Sequence, residues 1–443
     1  MVPLDTIVAI ATPPGRGGIG VIRLSGAMAA TIGTSVLGQL PLPRQATRRK
    51  FLDAAGDTMD QGLAIWFPAP HSFTGEDVLE LHAHGGPVLL DWIVARLVSL
   101  GARLARPGEF SERAFLNEKL DLAQAEAVAD LIDAGSVAAA RAAIRSLAGE
   151  LSTRVHALSD AIVDLRVYIE ASIDFADEDI ELLAEGGVAL RLTSLIHDLS
   201  ELQTRARQGR LLQEGCTVVL AGRPNAGKSS LLNALVGADT AIVTDIPGTT
   251  RDVLRERIDL DGLPVLLLDT AGLRHDPERI EAEGIKRALA EIAQADHILY
   301  LVDVSDAEAV AAAHEEAAAL QTSGAITLVF NKADRSTHTP QGAHLISATS
   351  GLGLPALRAH LKEALGFQSS DSGVISARRR HLDALARTAE ALDTAQDRLL
   401  SGTSSELVAE ELKLAHDALS EITGRFTSDD LLGEIFSSFC IGK

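Results

Sequence analysis

Cysteine and aromatic residues are scarce in this 443-residue chain, and basic residues are few relative to acidic ones. Two cysteines, Cys216 and Cys440, cannot build a disulfide framework, which points to a reducing compartment. Aromatics make up 3% of the residues, so platforms for stacking unpaired bases are few. Forty Lys and Arg stand against 61 Asp and Glu, a net charge of −21. That balance excludes a general nucleic-acid coat, because phosphate contacts come from Lys and Arg. Any work on nucleic acid would rest on local basic patches or a basic partner. No apolar stretch reaches the roughly 18 residues of a membrane-spanning helix, so no membrane partner is expected. The start, Met1 to Asp5, has no basic stretch ahead of an apolar core, so a secretory signal is not expected and the cytoplasm is. What is present is 46% apolar residues, ample for buried cores. At about 100–200 residues per domain, the length suggests roughly two to four domains.

Three textures follow one another along the chain. Thr6–Ala11, Ile19–Leu24, Leu63–Phe67 and Asp77–Leu81 read as strands, with a helical stretch over Val88–Leu100. Residues 1–118 are therefore a small α+β domain, in which Arg48–Lys50 reads as a solvated loop. From Leu120 onward Ala, Leu and Glu dominate, and Pro is absent as far as residue 213. Leu122, Ala125, Val128, Ala129 and Ile132 recur at helical spacing, as do Leu192, Leu195, Ile196, Leu199 and Leu202. The acidic run Asp174–Glu181 reads as a solvated helix end or loop. Alternating strand and helix texture begins at Thr217 and runs to about Phe367, after which helices resume at Ser376–Leu399 and Glu406–Thr423. Helical texture on both sides of an α/β segment predicts an inserted domain. The expected architecture is an α+β N-terminal domain (1–118), a discontinuous all-α domain (119–213 and 371–443) and an inserted α/β domain (214–370).

The insert carries the specific chemistry. After the apolar strand Val218–Ala221 comes Gly222-Arg-Pro-Asn225-Ala226-Gly227-Lys228-Ser229-Ser230, then helical Leu231–Leu235. This is the G-x-x-x-x-G-K-[ST] pattern in its strand–loop–helix context. Glycines let backbone N–H groups curl around phosphates, the helix N-terminus adds positive dipole, Lys228 bridges the β- and γ-phosphates, and Ser229 ligates Mg²⁺. Asp269-Thr270-Ala271-Gly272 follows the strand Pro264–Leu268: Asp269 is placed to hold Mg²⁺ through water, and the Gly272 N–H to sense the γ-phosphate. Asn331-Lys332-Ala333-Asp334 follows the strand Ile326–Phe330. A carboxylate at Asp334 accepts from guanine N1 and N2, a donor pair adenine lacks. Ser347-Ala348 brings a backbone N–H to guanine O6. The four elements, over 217–365, resemble the translation-factor-related GTPases. Gly248-Thr249-Thr250 belongs to the expected switch segment, with the Thr250 hydroxyl on Mg²⁺ when the γ-phosphate is present.

The hydrolysis site departs from the common pattern. Leu273 stands where many GTPases carry a water-orienting Gln, and a leucine cannot hydrogen-bond water. Asp276, Glu278, Glu281 and Glu283 follow, and spacing does not choose among them. Charge on the transferring phosphoryl also needs a cation. Asn225 in the loop and the carbonyls of Thr244 and Ile246 are oxygen donors that suit a monovalent ion, and no arginine finger is recognisable.

The whole chain resembles the MnmE (TrmE) family of bacterial tRNA-modifying GTPases. The resemblance is carried by Thr12-Pro-Pro-Gly-Arg-Gly-Gly18, Phe73-Thr-Gly-Glu-Asp-Val78, Arg106 to Leu116 (RPGEFSERAFL) and the tail Phe439-Cys-Ile-Gly-Lys443. It implies a folate-binding N-terminal domain, a discontinuous helical domain and an inserted G domain. It implies a homodimer through the N-terminal domains, and G domains that pair when K⁺ and the transition state are in place. K⁺ ligands map onto Asn225, Thr244, Ile246 and Thr249, and Asp245 and Pro247 fall in the same GTP-binding stretch. The catalytic carboxylate maps onto Glu281, because Glu281-Ala-Glu-Gly-Ile285 matches the family's E-x-x-G-I. The partner implied is the FAD-dependent MnmG (GidA), in a heterotetramer. With tRNA as substrate, the pair adds an aminomethyl-type or carboxymethylaminomethyl group at wobble-uridine C5. The carbon comes from 5-formyl- or 5,10-methylene-tetrahydrofolate, whose contacts map onto Arg23, Glu80, Lys119 and Lys443.

Three further features are read conservatively. Glu80, His82 and His84 share a strand face at metal-ligand spacing, but the family has no such metal, and His84-Gly85-Gly86 matches its H-G-G turn. Cys440-Ile-Gly-Lys443 has the spacing of a prenylation box, but Gly and a terminal Lys fit one poorly. An alternative function, a ribosomal-RNA-binding GTPase, would call for a KH-type G-x-x-G loop after the insert, and residues 376–443 have none.

Overall fold

The computed structural model describes residues 5–174, 187–238, 254–269, 293, 295–320, 322, 324–335, 344–367, 373–402, 404–424, 429–437, 439 and 442. The chain divides into two compact units. One comprises residues 1–129, 146–189 and 390–443, the other 130–145 and 190–389.

The first unit contains a six-stranded sheet in the order β3-β4-β5-β2-β1-β6. Its strands are β1 (Ile7–Ile10), β2 (Gly17–Ser25), β3 (Thr47–Leu52), β4 (Thr58–Phe67), β5 (Val78–Gly85) and β6 (Arg103–Leu104). Period-two alternation sends Ile22, Leu24, Leu79 and Leu81 to one face, where they pack with Ile32 and Val36 of helix Ala29–Leu37 and Ile93 and Leu97 of helix Pro87–Ser99. On the other face Ile7 and Ala9 meet Phe110 of helix Glu109–Leu116. The expected strands and helix are present. Arg48–Lys50, expected as a loop, lies instead in β3, paired antiparallel to β4. β3 is an edge strand, and charged side chains at a sheet edge guard against pairing with other chains. In helix Glu150–Asp174, Leu151, Val155, Leu158, Ile162, Leu165 and Ile169 recur every three or four residues and are buried. This helix packs along helix Ser405–Ser420, which buries Val408, Leu412, Ala415 and Leu419. Truncating one such leucine to alanine costs about 2–5 kcal/mol.

The second unit holds the other sheet, order β12-β11-β10-β7-β9-β8. It comprises β7 (Cys216–Ala221), β8 (Leu254–Leu260), β9 (Leu263–Asp269), β10 (His297–Asp303), β11 (Ala325–Asn331) and β12 (His344–Leu345). All pairs are parallel except β8 with β9. Parallel strands covered on both faces read as continuous apolar runs, and β10 is buried over six of its seven residues. Helices Lys228–Ala238 and Leu354–Ala364 cover one face through Leu231, Leu235, Leu357 and Leu361. Helix Ala307–Ala318 covers the other through Ala309, Ala313 and Ala317. In each unit a helix from before the α/β segment packs on one from after it. Gln203 of helix Val188–Glu214 donates to the Leu385 carbonyl of helix Arg379–Leu400 at 3.0 Å. The chain is thus multidomain: an α+β N-terminal part, a discontinuous helical part and an inserted α/β P-loop part. Among the described residues, no helix is long and apolar enough to cross a membrane.

Candidate functional site

The carboxyl ends of β7, β9, β10 and β11 converge on one edge of the parallel sheet, where open α/β folds bind ligands. β7 runs into the loop 222–227, and helix Lys228–Ala238 starts directly behind it. The loop demands glycine at two places. Gly222 has φ +132°, and a Cβ there would stand 2.2 Å from the Leu301 carbonyl. Gly227 has φ +96°, and its Cβ would stand 2.2 Å from Asn331 Nδ2. Asn225 also lies in the left-handed region, at φ +63°, and is exposed at the loop's rim. The buried Lys228 folds its ammonium back onto the loop, donating to the Gly222 and Arg223 carbonyls at 2.9 and 3.0 Å. Lys228 thus stands within the loop that a phosphate chain would fill. Ser230, the next residue along the helix, is exposed.

Asp269 ends β9, fully buried, and accepts from Ser229 Oγ at 2.7 Å. Two hard oxygen donors side by side at the mouth of the loop fit Mg²⁺. Asn331 ties the remaining parts together. Its Nδ2 donates to the Ala226 carbonyl at 2.9 Å, and its Oδ1 accepts from the Ala348 N–H at 3.1 Å. Lys332, at φ +64°, donates to Asp303 at 2.5 Å. Burial pushes the Asp303 carboxyl up, but bonds from Lys332 and Ser305 outweigh it and hold it below the usual range. The Ala333 N–H donates to the Ile346 carbonyl at 3.0 Å, which sets the Asn331–Asp334 loop against the Ser347–Ala348 loop. Asp334 is exposed, and a hydrogen bond from Ser347 holds its carboxyl below the usual value. Asn225, Ala226, Gly227, Lys228, Ser229, Asp269, Asn331, Lys332, Ala333, Asp334, Ser347 and Ala348 therefore share one end of the sheet. Thr244, Asp245, Ile246, Pro247, Gly248, Thr249, Thr250, Thr270, Ala271, Gly272 and Glu281 lie outside the described residues.

Sequence reasoning missed a support of this loop. Arg223 donates to Glu316 of helix Ala307–Ala318, and Glu316 also accepts from the buried Tyr300 hydroxyl of β10 at 2.5 Å. No motif signals a partner 93 residues away.

On the outward face of the first unit's sheet, Arg23 and Glu80 stand in register on β2 and β5 and form a 2.9 Å ion pair. The Arg23 guanidinium lies 5.4 Å from the Phe73 ring centroid and 5.7 Å from that of Phe110. Among the described residues, Glu80 Oε2 has only a long 3.5 Å approach from His82 Nε2, and Lys119 donates to the Pro70 carbonyl at 3.1 Å. A carboxylate with an oxygen to spare, paired to a guanidinium that lies beside two aromatic rings, fits a heterocycle bearing amino groups, and the Lys119 ammonium has donors left for an anionic tail. On the same helix as Phe110, the buried Arg113 bonds Glu76 at 3.1 Å, Asp5 at 2.7 Å and Glu109 at 3.2 Å. His84 pairs with Asp60 rather than with Glu80 or His82, so the three do not converge on one point. Lys443 and Cys440 lie outside the described residues.

Comparison with known proteins gives these chemistries a context. A family model described as the MnmE helical domain matches residues 122–440. Another, described as the N-terminus of the GTP-binding protein TrmE, matches residues 6–119. The chain is 57% identical over 450 residues to the tRNA modification GTPase MnmE of Erwinia tasmaniensis, covering 99% of each. Among solved structures it is similar to the G domain of the T. maritima FeoB iron transporter, at 24% identity and a TM-score of 0.27, covering 34% of this chain and 98% of that one. It is also similar to a variant of Aquifex aeolicus Era bound to GDP and AlF4⁻, at 22% identity and a TM-score of 0.27, covering 40% and 66%. At those scores the structures add no argument.

Proposed function

The chain belongs to the MnmE (TrmE) family, and from that premise we propose that it hydrolyses GTP under K⁺ control to drive modification of wobble-uridine C5 in tRNA. That the chain is a GTPase of tRNA modification follows from its kinship along its full length. The group added is of aminomethyl or carboxymethylaminomethyl type, its carbon coming from 5-formyl- or 5,10-methylene-tetrahydrofolate. The observation that carries the reading is Asn331, which joins the phosphate loop to the Ala348 loop and so supports a single guanine-nucleotide site.

In this reading Lys228 leaves the Gly222 and Arg223 carbonyls for the β- and γ-phosphates. Ser229 and Thr250 would hold Mg²⁺, which would supply positive charge against the phosphates. Asn225, Thr244, Ile246 and Thr249 would hold K⁺, which would supply the positive charge that an arginine finger supplies elsewhere. Glu281 orients the attacking water, as Leu273 cannot. Arg23, Glu80, Lys119 and Lys443 hold the folate. Residues 1–118 form the folate and dimerisation domain, 214–370 the G domain, and 119–213 with 371–443 the helical domain. The chain acts in the cytoplasm as a homodimer that joins MnmG in a heterotetramer.

Calorimetry with 5-formyltetrahydrofolate tests the folate half. Saturable binding, lost in Glu80→Ala, is expected; a wild-type chain that takes up no folate contradicts it.

A further inference from the structure

Beside the candidate folate residues, the N-terminal sheet carries a hydrogen-bonded pair that nucleotide chemistry does not use. Asp60 lies on β4 and His84 near the end of β5. Asp60 Oδ2 accepts from the His84 backbone N–H at 2.9 Å. Oδ1 lies 2.8 Å from His84 Nδ1 and accepts from the Gln61 N–H at 2.7 Å. The Asp60 side chain is 10% exposed and that of His84 is 74% exposed. Burial pushes the Asp60 carboxyl up, but bonds from His84 and Gln61 outweigh that and hold it below its usual value. An ionised carboxylate only accepts, so in the neutral ring the proton sits on Nδ1 and the lone pair on Nε2. A carboxylate fixes the tautomer of a general base in this manner.

A merely solvated histidine needs no buried carboxylate with three hydrogen bonds behind it. The surroundings keep Nε2 accessible. Gly85 and Gly86 follow, and β2 crosses so closely that a Cβ on Gly85 would stand 2.6 Å from the Gly17 carbonyl. Strand alternation puts Glu80, His82 and His84 on one face, with His84 about 13 Å along from Glu80. Three cations stand on that face: Arg23, Arg48 and Lys50, the last exposed and in register with Gln61. Arg23 pairs with Glu80. Arg48 of β3, in register with Leu63 and through it with His82, donates to Gln61 at 3.0 Å.

Resting on the folate reading above, we propose that His84, oriented by Asp60, is the proton donor and acceptor of the one-carbon site. His84 Nε2 takes the proton that the incoming amine loses as it bonds the carbon. It then delivers that proton to the nitrogen whose bond to the carbon breaks, which keeps that bond's electron pair. The imidazole ends neutral, and Asp60 stabilises it while charged. Asp60 acts through His84 and is a positioning residue.

The test uses the full chain and three readouts. In ¹⁵N-histidine spectra the wild type should show His84 protonated at Nδ1 and bare at Nε2, and Asp60→Asn should shift the ring toward the other tautomer. Diethyl pyrocarbonate should acylate His84, located by peptide mass spectrometry, and saturating 5-formyltetrahydrofolate should slow this at least about tenfold. In a reconstituted modification assay His84→Gln should lose about 10²–10⁴-fold in rate, the range of a positioned acid–base group. Its folate affinity and GTP hydrolysis should stay within about threefold of wild type. Because the ring is exposed, the substitution leaves no cavity. Bound folate with unprotected His84, or tRNA modification by His84→Gln within about threefold of wild type, overturns the proposal alone. A wild type that binds no folate overturns the folate reading, and the proposal with it.

Discussion

Arg223 and Glu316 clamp the rim of the phosphate loop to helix Ala307–Ala318: Nη2 and Nε of the guanidinium reach the same carboxylate oxygen at 2.6 and 2.9 Å. Lys228 leans on the Arg223 carbonyl, so whatever holds Arg223 also holds the loop that receives phosphate. Glu316→Gln is expected to speed release of a fluorescent GDP analogue by about two- to fivefold, as suits a partly exposed ion pair, with kcat unchanged. Tyr300→Phe should have a smaller effect in the same direction. An unchanged release rate in Glu316→Gln would detach the clamp from nucleotide binding.

Acid should loosen the G-type unit through His297. Burial first, and the nearby His360 second, push its imidazole below the ordinary 6.5, while Thr327 Oγ1 lies 2.8 Å from its Nε2. His344, stacked on His360 at 4.0 Å, is lowered the same way. The folded state prefers the neutral ring, so the stability this contributes is full above 6.5 and is lost as pH falls through the lower folded-state value. The urea midpoint should drop between pH 7.5 and 5.5 by more in wild type than in His297→Leu. Equal drops would show that His297 does not titrate in that window.

What could be read in advance follows from how local each constraint is. The phosphate loop was legible because Gly222 and Gly227 answer a backbone need within nine residues, with Lys228 and Ser229 directly behind. β7, β9 and β11 were legible as unbroken apolar runs. β8, with Arg255, Glu256, Arg257 and Asp259, was not recognised, because an edge strand carries charges that also suit a loop. Arg48–Lys50 was misread for the same reason. Asp60 with His84 and Arg223 with Glu316 were invisible, because only the folded chain brings such distant positions together.

Hydrolysis should require K⁺. Asn225 sits at the loop's rim with a left-handed backbone, and the sequence carries no recognisable arginine finger. Rates in matched KCl and NaCl should differ by at least about tenfold, since a cation at the transferring phosphoryl acts as an electrostatic stabiliser. Asn225→Ala should lose the stimulation and keep GDP binding. Equal rates in the two salts would remove K⁺ from the account.

Glu281→Ala should slow single-turnover hydrolysis by about 10²–10⁴-fold and leave GTP affinity nearly unchanged, as expected of a carboxylate that would meet the water only in the transition state. A rate within about threefold of wild type would exclude Glu281 and turn attention to Glu278 and Glu283.

The central claim is that a guanine nucleotide hydrolysed at this site drives tRNA modification, and Asp334→Asn tests it most directly. The carboxylate accepts two N–H bonds from guanine, whereas an amide NH₂ can donate to the 2-oxo group of xanthine. A buried polar mismatch costs about 1–3 kcal/mol per group, roughly 5–150-fold in affinity. The measurement is wobble-uridine modification of tRNA by the reconstituted complex carrying Asp334→Asn, supplied with GTP or with XTP at equal concentration. The variant is expected to modify tRNA with XTP and to fail with GTP, the reverse of wild type. Modification by the variant with GTP at the wild-type rate would contradict it.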